Sequence, residues 1–256
     1  MSGDIQRCIA AVSNIYDGPD DEAALEDQVL FGHAFEVTQQ NSGWLSGQSL
    51  DVISGDPVYK GWVRAADFAE DFTPTHKIKS LRAPVFSRAD IKSPIVMSLS
   101  LGSRLRAAKH NAEFYETVQG FVHARHVAIV DNYAGDFVDV AALYLNLPYV
   151  WGGKSANGVD CSGLVQNALW ATGLASPRDS GPQGLCVGEA LTIESGFANL
   201  RRGDLVFWPG HVGIMEDSTM LLHANGYHMM TAREPLTQAA SRIKKTAGDI
   251  TSIRRL

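Results

Sequence analysis

The sequence is short of the features that mark many classes of protein. It has three cysteines in 256 residues, Cys8, Cys161 and Cys186. The number is odd and no CxxC pair occurs, which argues against a disulfide framework and against a zinc ribbon. No stretch approaches the ~20 apolar residues that a membrane span requires. Lys and Arg number 22 against 28 Asp and Glu, a formal net charge of −6, so a basic footprint for nucleic acid is missing. The opening "MSGDIQRCIAAVSNIYDGPDDE" has neither the basic n-region nor the long apolar core of a signal peptide. These absences predict a cytoplasmic protein with free thiols, no nucleic-acid partner and no membrane association. Nothing in the sequence specifies an oligomeric state.

What is present is ordinary for a folded chain, 45% hydrophobic and 20% charged, and it is written in two grammars. Up to about residue 130 the chain reads as short strands. "VLFGHAFEVTQQ", "GWLSGQSL", "VYKGWVRAADF" and "EFYETVQGFVHARHV" carry β-branched and aromatic residues in alternations broken by Gly, Asn or Ser. The pattern of 28–68 recurs in 96–127, which predicts two small five-stranded barrels. "THKIKSLRAPVF" (75–86), with a proline near its end and another just before it, reads as the seam between them. After residue 131 helical periods appear. "DNYAGDFVDVAALYLNL" and "CSGLVQNALWATGL" each present an apolar face, and three short strands follow in "DLVFW", "HVGIME" and "TMLLHAN". Helices first and an antiparallel sheet after predict an α+β domain. The last twenty residues, rich in Lys and Arg, read as a surface strand or tail.

Within "GVDCSG" (158–163), Asp160 is placed to cap a helix whose first residue is Cys161. A thiol there meets unpaired backbone N–H groups and the positive end of the helix dipole, which favours the nucleophilic thiolate. The same N–H groups suit a developing oxyanion, and Gly158 and Gly163 leave room for a substrate backbone. An attacking cysteine needs an imidazole as base. His211 starts the strand "HVGIM" and His223 lies near the end of "TMLLHAN", with His228 in the turn beyond. A separation of twelve residues suits adjacent antiparallel strands showing both rings on one side. A lone cysteine is more often a small buried hydrophobe, and that reading holds for Cys8 and Cys186. Around Cys161 the polar flanks and the two histidines favour chemistry. "HARH" (123–126) hints at zinc, but its spacing along a strand turns the two rings to opposite faces. No metal and no cofactor are expected.

"PYVWGGKSANGVDCSGLVQ", "RRGDLVFWPGHVGIM" and "LLHANG", in this order, resemble the NlpC/P60 cysteine peptidases, and "YKGWV" with its partner repeat resembles bacterial SH3-like (SH3b) domains. The resemblance implies SH3-like domains at 1–74 and 75–130 and a papain-like α+β catalytic domain at 131–256. It implies Cys161 as nucleophile, His211 as base and His223 as the residue that orients His211. Tyr149 falls near the oxyanion. Asp160, Ser162 and Ser180 fall where relatives hold the free amine and backbone of an L-Ala-γ-D-Glu unit, and Trp151 lines the same cleft. Glu26 and Tyr59 are the matches for the acid and tyrosine with which a first SH3-like domain closes that cleft. The implied function is an endopeptidase that cuts the γ-D-Glu–diamino acid bond of murein peptides with a free L-Ala, for peptidoglycan recycling. The rival readings are a wall-remodelling endopeptidase, an amidase or acyltransferase on the same scaffold, and a non-catalytic wall-binding module.

Overall fold

The computed structural model describes residues 3–256. The chain divides into two units, with the boundary at Tyr133 and Ala134. No helix among the described residues is long and apolar enough to cross a membrane.

The first unit is all β. Its N-terminal part is a seven-stranded sheet in the order Leu25–Leu30, Val12–Tyr16, Pro57–Arg64, Trp44–Leu50, Ala34–Asn41, Asp4–Cys8, Phe68–Glu70. Because successive side chains on a strand alternate faces, Ile15, Phe35, Leu45, Val63 and Phe68 turn inward into one core. Cys8 is part of that core and fully buried. Its second part has a separate core of Ile78, Ala83, Val85, Leu99, Leu105, Val122 and Val127. That core lies in a five-stranded and a three-stranded sheet. The segment 75–86 is not a seam. His76–Ile78 is the middle strand of the three-stranded sheet, and Arg82–Phe86 is second in the five-stranded sheet. The inward alternation of Ile78, Ala83 and Val85 outweighs the punctuation of its prolines.

The two β bodies interlock through Phe31 and Gly32. Phe31, at the end of the first sheet's edge strand, is buried in the second core. Gly32 has φ +74°, and a Cβ there would lie 1.9 Å from the Arg104 carbonyl oxygen, so only glycine is tolerated. Arg104 donates its backbone N–H to Phe31 O (2.8 Å) and its guanidinium to Val52 O (2.7 Å) in the loop between two strands of the first sheet. "HARH" also departs from expectation. Residues Ala124–His126 form a 3-10 turn rather than a strand, with His123 capping it and His126 bonded to Ser80.

The second unit holds four α-helices among the described residues: α1 (Phe137–Ala142), α2 (Cys161–Ala171), α3 (Ser180–Cys186) and α4 (Leu236–Ile243). Its sheet has six strands: β1 (Glu189–Leu191), β2 (Leu205–Trp208), β3 (His211–Met215), β4 (Met220–Asn225), β5 (Met230–Pro235) and β6 (Ser252–Arg255). Their order is β1-β6-β2-β3-β4-β5. The basic C-terminal stretch is therefore not a tail. It contributes most of α4 and then β6, an interior strand with Ile253 fully buried and Arg255 paired to the buried Asp204 at 2.7 Å. Helix α2 has no exposed face: Leu164, Val165, Ala168 and Leu169 are buried, and so are Gln166, Asn167 and Trp170. Two of its buried amides donate to backbone carbonyls, Gln166 to Ser176 O (3.0 Å) and Asn167 to Lys154 O (2.7 Å). A helix enclosed in this way has its N-terminus held firmly.

Candidate active site

Helix α2 begins at a capped end. Asp160 Oδ1 accepts the Gly163 N–H at 2.7 Å and Oδ2 accepts the Gly152 N–H at 2.9 Å. The same carboxylate meets a residue that motif reading missed. Arg178 is buried and donates to Oδ1 at 3.0 Å and Oδ2 at 2.6 Å, while its Nη1 also reaches Ser162 Oγ at 2.9 Å. Asp160 and Ser162, expected to hold a substrate amine, are thus already engaged with a guanidinium. The only sequence hint was physical: a carboxylate in a buried motif needs a counter-charge. Gly163 also has a different reason from the one expected. A Cβ there would sit 2.4 Å from Gly153 O, so the glycine serves the packing of α2 on the turn before it. Gln183, also buried, ties α3 to this end of α2 through Ser162 O (3.0 Å) and Pro177 O (2.9 Å).

Cys161 is the first residue of α2 and is buried, with Sγ 4.0 Å from Gly210 O and influenced by the Val212 N–H. The sulfur therefore lies against the start of β3, at the residues on either side of His211. Burial, and then the Asp160 carboxylate, push the thiol up to about 12. This is opposite to the thiolate expected from the helix N-terminus. The capping carboxylate occupies the same helix end, and burial adds to its effect. Burial, and then His223, push His211 down to about 3. Both shifts favour the uncharged form of each group.

The structure brings His211 and His223 together on adjacent strands, His211 Nε2 to His223 Nδ1 at 2.8 Å, with ring centroids 5.1 Å apart. The Trp208 ring lies 5.7 Å from that of His211. His223 is fully buried, and its Nε2 is 2.8 Å from Glu234 Oε1 on β5. Arg242, from α4, donates to the same Oε1. Burial is the main force that holds His223 below its ordinary range, opposed by Glu234. Burial alone would raise Glu234, but the bond from His223 and the charge of Arg242 outweigh it and hold the carboxyl low. Glu234 and Arg242 were also missed. His223 pairs with Ala232 across β4 and β5, which puts Glu234 two residues along on the same face. Only the hairpin register reveals that. Among the described residues, His223, His228 and Glu234 bring donor atoms within 4.8 Å of one another. Arg242 already donates to Glu234 Oε1, one of the two oxygens of that carboxylate.

Tyr149 is half-buried and its N–H donates to Met229 O at 3.0 Å. Burial, and then the charges of Cys161 and Asp160, raise its phenol to about 12, so it belongs to the same neighbourhood. Trp151 is 68% exposed. Ser180 heads α3 and is half-buried. In the first unit Tyr59 donates to Glu26 Oε2 at 2.6 Å. The pair borders a groove of about 600 Å³ with Asp17, Gln48, Lys60 and Trp62. Cys186 is exposed, and its thiol donates to Pro182 O of its own helix at 3.2 Å.

Comparison with known proteins agrees with this division. Residues 146–246 match the NlpC/P60 family, and residues 15–68 match the bacterial dipeptidyl-peptidase Sh3 domain. The chain is 28% identical over 246 residues to dipeptidyl-peptidase 6 of Lysinibacillus sphaericus, which covers 85% of this chain and 86% of that one. It is 29% identical over 224 residues to a gamma-D-glutamyl-L-lysine dipeptidyl-peptidase of Bacillus subtilis, covering 78% and 72%. A crystal structure of an NlpC/P60 family protein from Bacillus cereus has the same fold, with a TM-score of 0.80 at 18% identity over 98% of this chain and 99% of that one. The mixed α/β unit with few helices that carries Cys161, His211 and His223 is an NlpC/P60 domain, and a bacterial SH3 domain precedes it in the chain.

Proposed function

We propose that the chain is a cysteine peptidase that hydrolyses the amide between the γ-carboxyl of D-Glu and the diamino acid of murein peptides with a free N-terminal L-Ala. One observation carries this reading: Cys161, at the head of a buried helix, lies against the start of β3 where His211 is bonded to His223. That is a nucleophile, a base and an orienting group in series. The names of the relatives support the bond type and the free amino end, since a dipeptidyl-peptidase releases two residues from an open N-terminus.

In this reading, His211 takes the proton from Cys161 as the sulfur attacks the γ-carbonyl. The shifts on both groups favour their uncharged forms, so in this reading proton transfer accompanies attack. The oxyanion is received by the N–H groups at the head of α2 and by the Tyr149 hydroxyl. Imidazolium at His211 then protonates the leaving amine of the diamino acid. Water, deprotonated by His211, cleaves the thioester, releases L-Ala-γ-D-Glu and restores the thiol. Asp160 and Ser162, occupied by Arg178, act mainly to hold the helix end, while Ser180 and Trp151 border the substrate. We assign the activity to the recycling of free murein peptides in the cytoplasm.

The test is to incubate the protein with L-Ala-γ-D-Glu-meso-diaminopimelate and its L-Lys counterpart and identify products by mass. The expected products are L-Ala-γ-D-Glu and the diamino acid, absent with Cys161→Ala. An N-acetylated twin should be cut far more slowly. Equal kcat/KM for the two would replace recycling with wall remodelling.

A further inference from the structure

We propose that Glu234 is a positioning residue that sets the tautomers of both histidines, so that the nitrogen of His211 left without a proton is Nδ1. The inference rests on His211 being the base, and it extends the proposed Cys161–His211–His223 series by a fourth and fifth member that neither the motifs nor the family match assigns.

The argument is a count of protons along a chain of contacts. An ionised carboxylate only accepts hydrogen bonds. Glu234 Oε1 is 2.8 Å from His223 Nε2 and also receives the Arg242 guanidinium, which keeps the carboxylate ionised. The proton between His223 and Glu234 must therefore sit on His223 Nε2. A neutral imidazole carries one ring proton, so His223 Nδ1 is bare and can only accept. Its partner at 2.8 Å is His211 Nε2, which must then be the N–H. His211 is neutral as well, so its remaining nitrogen, Nδ1, has a free lone pair. That is the state a base needs before the thiol gives up its proton. Reversing the first contact would reverse the others in turn and leave His211 Nδ1 protonated and useless as a base.

The surroundings of Glu234 are arranged to prevent that reversal. His228, the other titratable ring nearby, has Nδ1 at 4.0 Å from Oε1, beyond hydrogen-bond range, and bonds instead to Asn225 Oδ1 at 3.1 Å. Arg242 is held over the Tyr227 ring, 4.2 Å from its centroid, while it bonds Glu234. Helix α4 thus supplies the cation that fixes the carboxylate on β5. The relay runs from His211 on β3 through β4 and β5 to α4.

The test uses the full chain labelled with 15N at histidine, reading protonated and bare ring nitrogens by long-range proton–nitrogen correlation, alongside steady-state kinetics. In the wild type, both His211 and His223 should show a protonated Nε2 and a bare Nδ1. Glu234→Ala should mix the two tautomers at both rings and lower kcat by about 10²-fold, within the range general-base catalysis spans, with KM changed less than about twofold. Glu234→Gln keeps an acceptor oxygen, so it should preserve the ring pattern and retain more activity. Glu216→Gln, which removes a salt-bridge partner of Arg233 outside the relay, should change neither. Unaltered His211 and His223 patterns in Glu234→Ala would overturn the inference, as would a wild-type His211 protonated at Nδ1. The ring pattern is read without substrate, so a wild type that fails to cut murein peptide would refute the proposed function and leave this inference to be decided by the spectrum.

Discussion

Replacing Arg178 by Leu should be among the most damaging single changes in the second unit, although no motif points to it. Arg178 is 2% exposed and makes a bidentate pair with Asp160, at 3.0 and 2.6 Å, plus a third bond to Ser162 at 2.9 Å. Leucine fills much of the space but leaves the Asp160 charge buried, with the Gly152 and Gly163 N–H groups and the Ser162 hydroxyl as its remaining partners. Breaking a buried ion pair by removing one member costs about 3–5 kcal/mol. For a unit of this size, each kcal/mol lowers the melting temperature by several degrees, so the transition of the second unit should fall by roughly 10–20 °C. The assay is differential scanning calorimetry with the double variant Asp160→Asn/Arg178→Leu beside the single one. Asparagine still caps a helix and is neutral, so the double variant should recover most of the loss. A single-variant cost below about 1 kcal/mol, or a double variant as unstable as the single, would refute the reasoning.

The thiol offers the next prediction. Because burial and Asp160 raise Cys161 to about 12, brief iodoacetamide treatment of the free protein at neutral pH should label the exposed Cys186 before Cys161; the reverse order would mean that a thiolate exists at rest. Acid should weaken the second unit. Unfolded histidine takes up a proton near pH 6.5, whereas folded His211 holds out to about 3, so the unfolded chain binds more protons in that window and stability falls as pH drops through it. His223 acts in the same direction, and a urea midpoint flat from pH 7 to 4 would contradict this. Cys161→Ala should fold and lose all hydrolysis, and His211→Ala should be nearly as inactive. His223→Ala should cost about 10²-fold in kcat; equal losses for the two histidines would mean that they share the base's role.

What could be read from the sequence was whatever depends on near neighbours in the chain. Alternation announced the strands of the first half, a 3.6-residue period announced α2, and Asp160 three residues before Gly163 announced its cap. Even the meeting of His211 and His223 was legible, because a twelve-residue spacing over a short turn leaves two adjacent antiparallel strands little choice. What could not be read depends on how separate elements pack on one another, whatever their separation in the chain. Arg178 reaches Asp160 from a loop eighteen residues later, and Arg242 reaches Glu234 from a helix; neither has a spacing that marks it. The basic C-terminus looked like a tail because charge suggests solvent, yet Ile253 alternates inward and Arg255 finds the buried Asp204. Burial of Cys161 is likewise a product of the fold. The helix dipole and the neighbouring Asp160 cap are local properties of the sequence, but burial, the larger force raising the Cys161 thiol, is set by the whole fold.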